Sequence, residues 1–495
     1  MVDRQHSGEQ WNPAVVDSGP RLGTTVHLRD VITAGLRLEA GAHNLEAREA
    51  VDAVRASGFP TIPLFGQDGL CKEAHNAFRF KRIYVSPDRG IPFLSSSDII
   101  NMNPSPDAFL SQTITNDLPK LLVQKWDILV SCSGTIGNVG LASDSFAGQA
   151  MSRHVIRITA PDPVTAGYVT GFLRSRFGRP QLLQASYGSV VAHIEPEHLR
   201  NMLIPERPPI HRIAIGEAIL EAYRMRDEAN NCLDNADQLL HERLELPPLS
   251  ELKKKLPDSP VTTVRASLLE GRLDATYHDP NAAAALSRLR SLSTEITTVG
   301  DPRLSQEVNA ITKFRERVYV ERGGIPLLSS KQIFQIDPVG VKALAKGAHQ
   351  KDLAQIGLRE GMVLVTRSGT IGRVQIIPAY MAGWAGSEHA HRIVPVDEVT
   401  GSYLYAWLAS AYGHCLMSRY SYGSVIVHID REMLAAVPIP FPARGTQEEV
   451  SELVVNANRL RNEAWSKERQ AISRLDALIA PQPKQQIAKH TLHEN

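Results

Sequence analysis

Hydrophobic positions along this chain change period twice. The runs Asp127-Ile128-Leu129-Val130-Ser131 and Met362-Val363-Leu364-Val365-Thr366 are short, apolar and delivered into glycine-bounded turns, so they predict buried strands. Proline-rich breakers follow at 205–209 and 438–442, and beyond them long proline-free segments predict helices. In the first helix Ile215, Ala218, Ala222, Met225, Ala229, Cys232, Ala236 and Leu239 alternate steps of three and four, the seam of a coiled coil. Val450, Leu453, Ala457, Leu460, Ala464 and Ala471 repeat it in the second, where Lys467 and Arg474 interrupt the seam. Two amphipathic helices each packed on its own domain would give such a pattern. The heptad spacing and paired placement favour helices packed on each other, with the alanines allowing close approach.

The two seams are part of a larger repeat at an offset of 235. Arg37-Leu38-Glu39-Ala40 matches Arg272-Leu273-Asp274-Ala275, and His43 matches His278. After one residue of slippage Gly90-Ile91-Pro92-Phe93-Leu94-Ser95-Ser96 falls on Gly324-Ile325-Pro326-Leu327-Leu328-Ser329-Ser330. The offset then returns: Ser133-Gly134-Thr135-Ile136-Gly137 recurs at 368–372, His154 at His389, Ser186-Tyr187-Gly188-Ser189-Val190 at 421–425, and His193-Ile194 at His428-Ile429. Matches spread over most of each half predict a tandem of two domains, each a mixed globular part followed by a helix.

The length of 495 residues suits such a tandem, and 43% hydrophobic with 22% charged residues excludes global disorder. Lys and Arg number 54 against 53 Asp and Glu, so a net charge of +1 gives no chain-wide attraction to nucleic acid or membrane, and any such binding must come from local patches. The cysteines, Cys71, Cys132, Cys232 and Cys415, lie far apart without a C-x-x-C pair, which argues against a disulfide framework or zinc cluster. No signal-peptide core or membrane-length apolar run is present, and the expectation is a soluble cytoplasmic protein.

The residue sets that reaction chemistry requires are not found: no phosphate loop, no H-E-x-x-H pair and no nucleophile elbow. The serine of S-G-T-I-G lacks an obvious local base, so a structural turn is the favoured reading over a nucleophile. His154 with His193, and His389 with His428, invite a metal reading, but no carboxylate or cysteine recurs beside them and hydrogen-bonded histidines are favoured. The expectation is a chain without catalytic residues, metal or cofactor of its own.

Binding chemistry is better represented. Phe78-Arg79-Phe80-Lys81-Arg82-Ile83-Tyr84 interleaves basic and aromatic residues, and its counterpart holds Lys313, Arg315, Arg317 and Tyr319. Such a strip can hold phosphates, or be an amphipathic strand with solvated charges. The S-G-T-I-G turns offer backbone N–H groups and the hydroxyls of Ser133, Thr135, Ser368 and Thr370, with Arg367 and Arg373 flanking the second copy. Tyr187 and Ser189, and Tyr422 and Ser424, offer further contacts.

The ordered set of R-L-[DE]-A, G-I-P-x-L-S-S, strand and S-G-T-I-G turn, Tyr-Gly-Ser with a following His-Ile, and a long helix, all given twice, resembles the specificity subunit of type I restriction-modification systems over about residues 25–480. The resemblance implies an α+β fold in which a target recognition domain and a long spacer helix occur in tandem, the two helices forming an antiparallel coiled coil. On that reading a tail (1–24) precedes recognition domain 1 (25–208), the central spacer (209–247), a linker (248–261), recognition domain 2 (262–442), the distal spacer (443–480) and a second tail (481–495). It also implies a non-catalytic reader of a bipartite double-stranded DNA site in a restriction-modification or methylation-based antiviral complex. Its partners would be two methyltransferase subunits, which carry S-adenosylmethionine, and in some systems a restriction-translocase subunit. The residues leave two other readings open: a protein-interaction scaffold that binds DNA weakly, and an enzyme of unfamiliar motif.

Overall fold

The computed structural model describes residues 25–33, 36–104, 106, 108–188, 192–200, 202–206, 208–254, 256, 261–310, 316–368, 371–423 and 425–480. The duplication in sequence is a duplication in topology. In the first unit a four-stranded antiparallel sheet runs Glu73–Asn76, Val155–Thr159, Ile128–Ser131, Val139–Leu141. The second unit repeats that order with Ser305–Ala310, Ala390–Pro395, Val363–Thr366 and Val374–Ile376. The register is the same: Val130 pairs with Ile156 and Val139, and Val365 with His391 and Val374, all at the 235 offset. Both apolar runs are buried on both faces, which is why they show no alternation.

A smaller sheet in each unit contains the G-I-P segment as Gly90–Leu94 or Ile325–Leu328, paired in parallel with Ala150–Met151 or Ala385–Gly386. The helices Pro163–Arg174 and Glu398–Ala409 cover the larger sheets, and Asp162 and Asp397 cap them by accepting from the N–H of Thr165 and Thr400. Gly167 crosses the central helix so closely that a Cβ there would sit 2.4 Å from Gly216 O.

The proline breakers end two short edge strands, and the helices Pro209–Arg243 and Arg444–Ile479 follow. These two pack antiparallel. The first half of the central helix (Ile215, Ile219, Tyr223) shares the first unit's core with Ala471, Leu475 and Ile479. The end of the central helix (Ala236, Leu240) shares the second unit's core with Val450 and Val454. Each core is therefore closed by both helices, and Ala229, Cys232, Ala457 and Leu460 meet midway.

The seam expected from periodicity needs one correction. Its first positions, Ile215, Ala222, Ala229 and Ala236 with Val450, Ala457, Ala464 and Ala471, are buried. Of its second positions Cys232 and Leu460 are buried as expected, whereas elsewhere the buried residue lies one further on: Ile219, Arg226 and Leu240 are buried while Ala218, Met225 and Leu239 are half-buried, and Val454 is buried while Leu453 is half-buried. Arg461, Glu468 and Leu475 continue that line, so Lys467 and Arg474 do not interrupt it. Buried charges at these places hide the true register from a hydrophobic pattern.

Around the helix pair the two units touch. Met102 N donates to Phe334 O at 2.7 Å and Ile336 N to Ile100 O at 2.8 Å, with Asn101 bridged to Gln335. Residues 100–102 and 334–336 are counterparts in the repeat, so the contact lies on a pseudo-twofold axis. Beside it Glu468 accepts from Arg174 and Arg226, and Asp337 from Arg174 at 3.2 Å and from Arg469. No described helix is long and apolar enough to cross a membrane.

Candidate nucleic-acid interface

The repeated motifs converge at one place in each unit. The S-G-T-I-G turn leaves the strand Ile128–Ser131 with Gly134 and Gly137 at φ of 77°, a left-handed conformation that suits glycine. Ser131 Oγ accepts from Asn138 N at 2.9 Å and closes the turn from inside. A second hairpin lies against it: Tyr187 and His193 exchange backbone hydrogen bonds of 2.8 and 2.7 Å, and Ser133 bridges to His193. Tyr422, His428 and Ser368 repeat the arrangement in the second unit.

The R-L-[DE]-A motif holds this hairpin in place. Arg272 donates to Tyr420 O at 3.2 Å and Ser421 O at 2.9 Å, and Arg37 donates to Gln184 O and Ser186 O. His43 and His278 in turn contact the carbonyls of Arg37 and Arg272 at 2.7 and 2.8 Å. The arginine and histidine recur because they position backbone, and the intervening Leu38 and Leu273 are exposed.

The local base absent from the sequence reading is supplied by the fold. His154 Nδ1 contacts Ser133 Oγ, and His389 Nδ1 lies 3.1 Å from Ser368 Oγ. The Ser133 side has no orienting carboxylate on its histidine among the described residues, so the pair ties the turn to the loop after the small sheet. Burial, then Arg153, Arg82 and His193, lowers the His154 pKa and keeps the ring neutral. Burial and Glu195 push the Cys132 thiol up to about 11, and the four cysteines are free. No group of His, Cys, Asp or Glu that could hold a metal occurs among the described residues.

Two carboxylates that sequence reasoning passed over complete the site. Tyr187 OH donates to Glu195 Oε1 at 3.2 Å, and Tyr422 OH to Asp430 Oδ2 at 3.0 Å. Both tyrosine pKa values are raised, by burial and then by that carboxylate, so each hydroxyl stays a donor. The signal was present, since Glu195 and Asp430 follow His-Ile at the same offset.

The two units differ in charge at this place. Residues 77–83 form no strand; Phe80 packs edge-on against Phe93, which leaves Arg79, Lys81 and Arg82 exposed. Arg79, Phe80, Arg82, Arg153 and His154 line a cleft of about 460 Å³, and none of its three arginines has a carboxylate partner among the described residues. In the second unit Arg317, the counterpart of Arg82, is paired with Glu388, the counterpart of Arg153. Arg367 lies 3.5 Å from Asp430, and the half-buried Arg373 is 4.3 Å over the Phe334 ring near the unit junction. Ser133 is buried, Thr135, Tyr187 and Tyr422 are exposed, and Ser368 is half-buried. Ser189, Lys313, Arg315, Thr370 and Ser424 lie outside the described residues.

Residues 313–472 match the family described as Type I restriction modification DNA specificity domain. No curated protein matches the chain. Among solved structures, the S subunit of a type I restriction-modification system from M. genitalium is similar at 14% identity, covering 84% of this chain and 98% of that one, with a TM-score of 0.29. The HsdS subunit from Thermoanaerobacter tengcongensis is similar at 14% identity, with 84% and 97% covered and a TM-score of 0.26. A chain from a study of assembly and conformational transition of the type I R-M system gives 15% identity, 83% and 98% coverage and a TM-score of 0.26. Over residues 313–472, about a third of its length, the chain is thus similar to the type I restriction-modification DNA specificity domain.

Proposed function

We propose that this chain is the DNA sequence-specificity subunit of a type I-like restriction-modification or methylation-based antiviral complex, and that each unit reads one half of a bipartite site. The carrying observation is the pairing of two equivalent hairpin-and-turn surfaces about one pseudo-twofold axis, fixed by helices shared between both cores. At ~1.5 Å per residue the 35-residue central helix is about 52 Å long, enough to separate two readers by a turn or more of B-DNA at ~34 Å per turn.

In this reading residues 25–208 and 262–442 are the recognition domains, 209–247 and 443–480 the spacers and 248–261 the linker. Arg79, Lys81, Arg82, Thr135 and Tyr187 contact DNA from the first unit, and Arg317, Arg367, Ser368 and Tyr422 from the second. Phosphate contacts set register, and the diverging loops around 99–120 and 333–352 meet base edges. Two methyltransferase subunits, carrying S-adenosylmethionine, dock on the exposed helix faces, and a restriction-translocase subunit joins where the system also cleaves. The complex acts in the cytoplasm.

Co-expression with methyltransferase subunits, followed by mapping of methylated adenine with and without this chain, tests the proposal. A split motif that appears only with the chain is the expected result. A stable complex with no new methylation would favour the scaffold reading.

A further inference from the structure

The pseudo-twofold axis makes each buried charge comparable with its counterpart in the other half, and one pair is unbalanced. Arg226 on the central helix is buried against the Glu468 carboxylate. Its counterpart Arg461, on the distal helix, is equally buried at 4% exposure, but the position that matches Glu468 is Leu233. Arg461 Nη2 reaches Asn230 Oδ1 at 3.3 Å, its Nε has no hydrogen-bond partner, and no carboxylate pairs with it among the described residues.

The equivalent cavities of the two halves differ in the same sense. In the first half a cavity of about 220 Å³, lined by Tyr223 and Arg174 and not reached by Arg226, is narrowed by the Arg174 guanidinium, which lies between Glu468 and Asp337. In the other half Arg174 becomes Ala409 and Asp337 becomes Asn103, and the matching cleft widens to about 860 Å³. Arg461 lies in its wall with Lys253, Arg373 and His414. The carboxylate among the described lining residues, Asp279, is occupied in capping the helix Pro280–Arg290. A buried guanidinium left without a carboxylate is strongly destabilising, whereas a paired one is tolerated.

We infer that this cleft binds a carboxylate, seated on Arg461 as Glu468 is seated on Arg226. The group comes from a small free dicarboxylate or from an acidic side chain of a bound subunit; both present the same chemistry. The inference does not rest on the DNA-reading proposal and survives its failure.

Thermal unfolding of the full chain in increasing glutarate, against chloride at matched ionic strength, tests it. The expected result is a saturable rise of about 2 °C or more in wild type that is absent in R461L. L233E places the missing carboxylate on the central helix, and it should melt above L233Q and lose the glutarate response whether or not R461L folds. Repeating the titration on the complex assembled with methyltransferase subunits separates the sources. A response lost there assigns the cleft to a partner's acidic side chain, and a response retained assigns it to a free carboxylate. A wild-type response no larger than that of chloride, or L233E melting no higher than L233Q, overturns the inference.

Discussion

Glu468 is the most consequential single residue of the helix pair, and its replacement tests how the two units are held. It is 1% exposed, on the distal helix, and accepts from Arg174 of the first unit and Arg226 of the central helix. Glu468→Ala leaves Arg174 with Asp337 at 3.2 Å but leaves Arg226 buried with no carboxylate partner among the described residues, its guanidinium 4.8 Å over the Tyr223 ring. Breaking a buried pair by removing one partner costs about 3–5 kcal/mol. Glu468→Gln keeps the shape and one acceptor, and loses the charge assistance of two hydrogen bonds, so about 1.5–3 kcal/mol is expected. The double variant R226L/E468L removes both charges and should recover most of the loss, as apolar replacements of buried pairs do. Because unfolding of a two-unit chain need not be two-state, amide hydrogen exchange read separately over the two long helices is the suitable assay. Opening free energies for Glu468→Ala within about 1 kcal/mol of wild type, or a double variant as unstable as the single one, would refute the argument.

The Asp337 carboxyl is half-buried and its desolvation raises its pKa, but Arg174 and Arg469 outweigh that and hold it below its ordinary 3.8. A depressed carboxylate contributes stability above its unfolded pKa that is lost as pH falls through the folded value. Exchange protection at the unit junction should therefore fall below about pH 4, and Asp337→Asn should remove that step, as exchange measured from pH 7 down to pH 3 would report. A Cβ at Gly216 would lie 2.2 Å from Val164 O, so Gly216→Ala should destabilise the first unit by at least about 1–3 kcal/mol in urea unfolding; an unchanged midpoint would show that the helices can separate freely. On DNA, Arg82→Ala and Arg153→Ala should each flatten the slope of log affinity against log salt by about 1, on cognate and unrelated sequence alike. Arg317→Ala should change the slope less, since Glu388 already neutralises that guanidinium, and an equal effect would remove the asymmetry between the units.

The duplication, the glycine turns, the strands that feed them and the first position of the helix seam are all legible in the sequence, because each is a local pattern of period, punctuation or recurrence. The second seam position is legible only at Cys232 and Leu460, since Arg226, Arg461 and Glu468 read as surface charges until the helix that neutralises or encloses them is in place. Local reading also stops short of contacts across long separations. Ser133 finds its histidine 21 residues away, Arg37 its carbonyls nearly 150 away, and Met102 meets Phe334 in the other unit. Identical motifs thus acquire different charge environments: Arg82 faces Arg153, while the equivalent Arg317 is paired with Glu388. Periodicity determines which faces are buried, whereas the partners across those faces, and so the electrostatics of each surface, are fixed only when the two units and both helices close on one another.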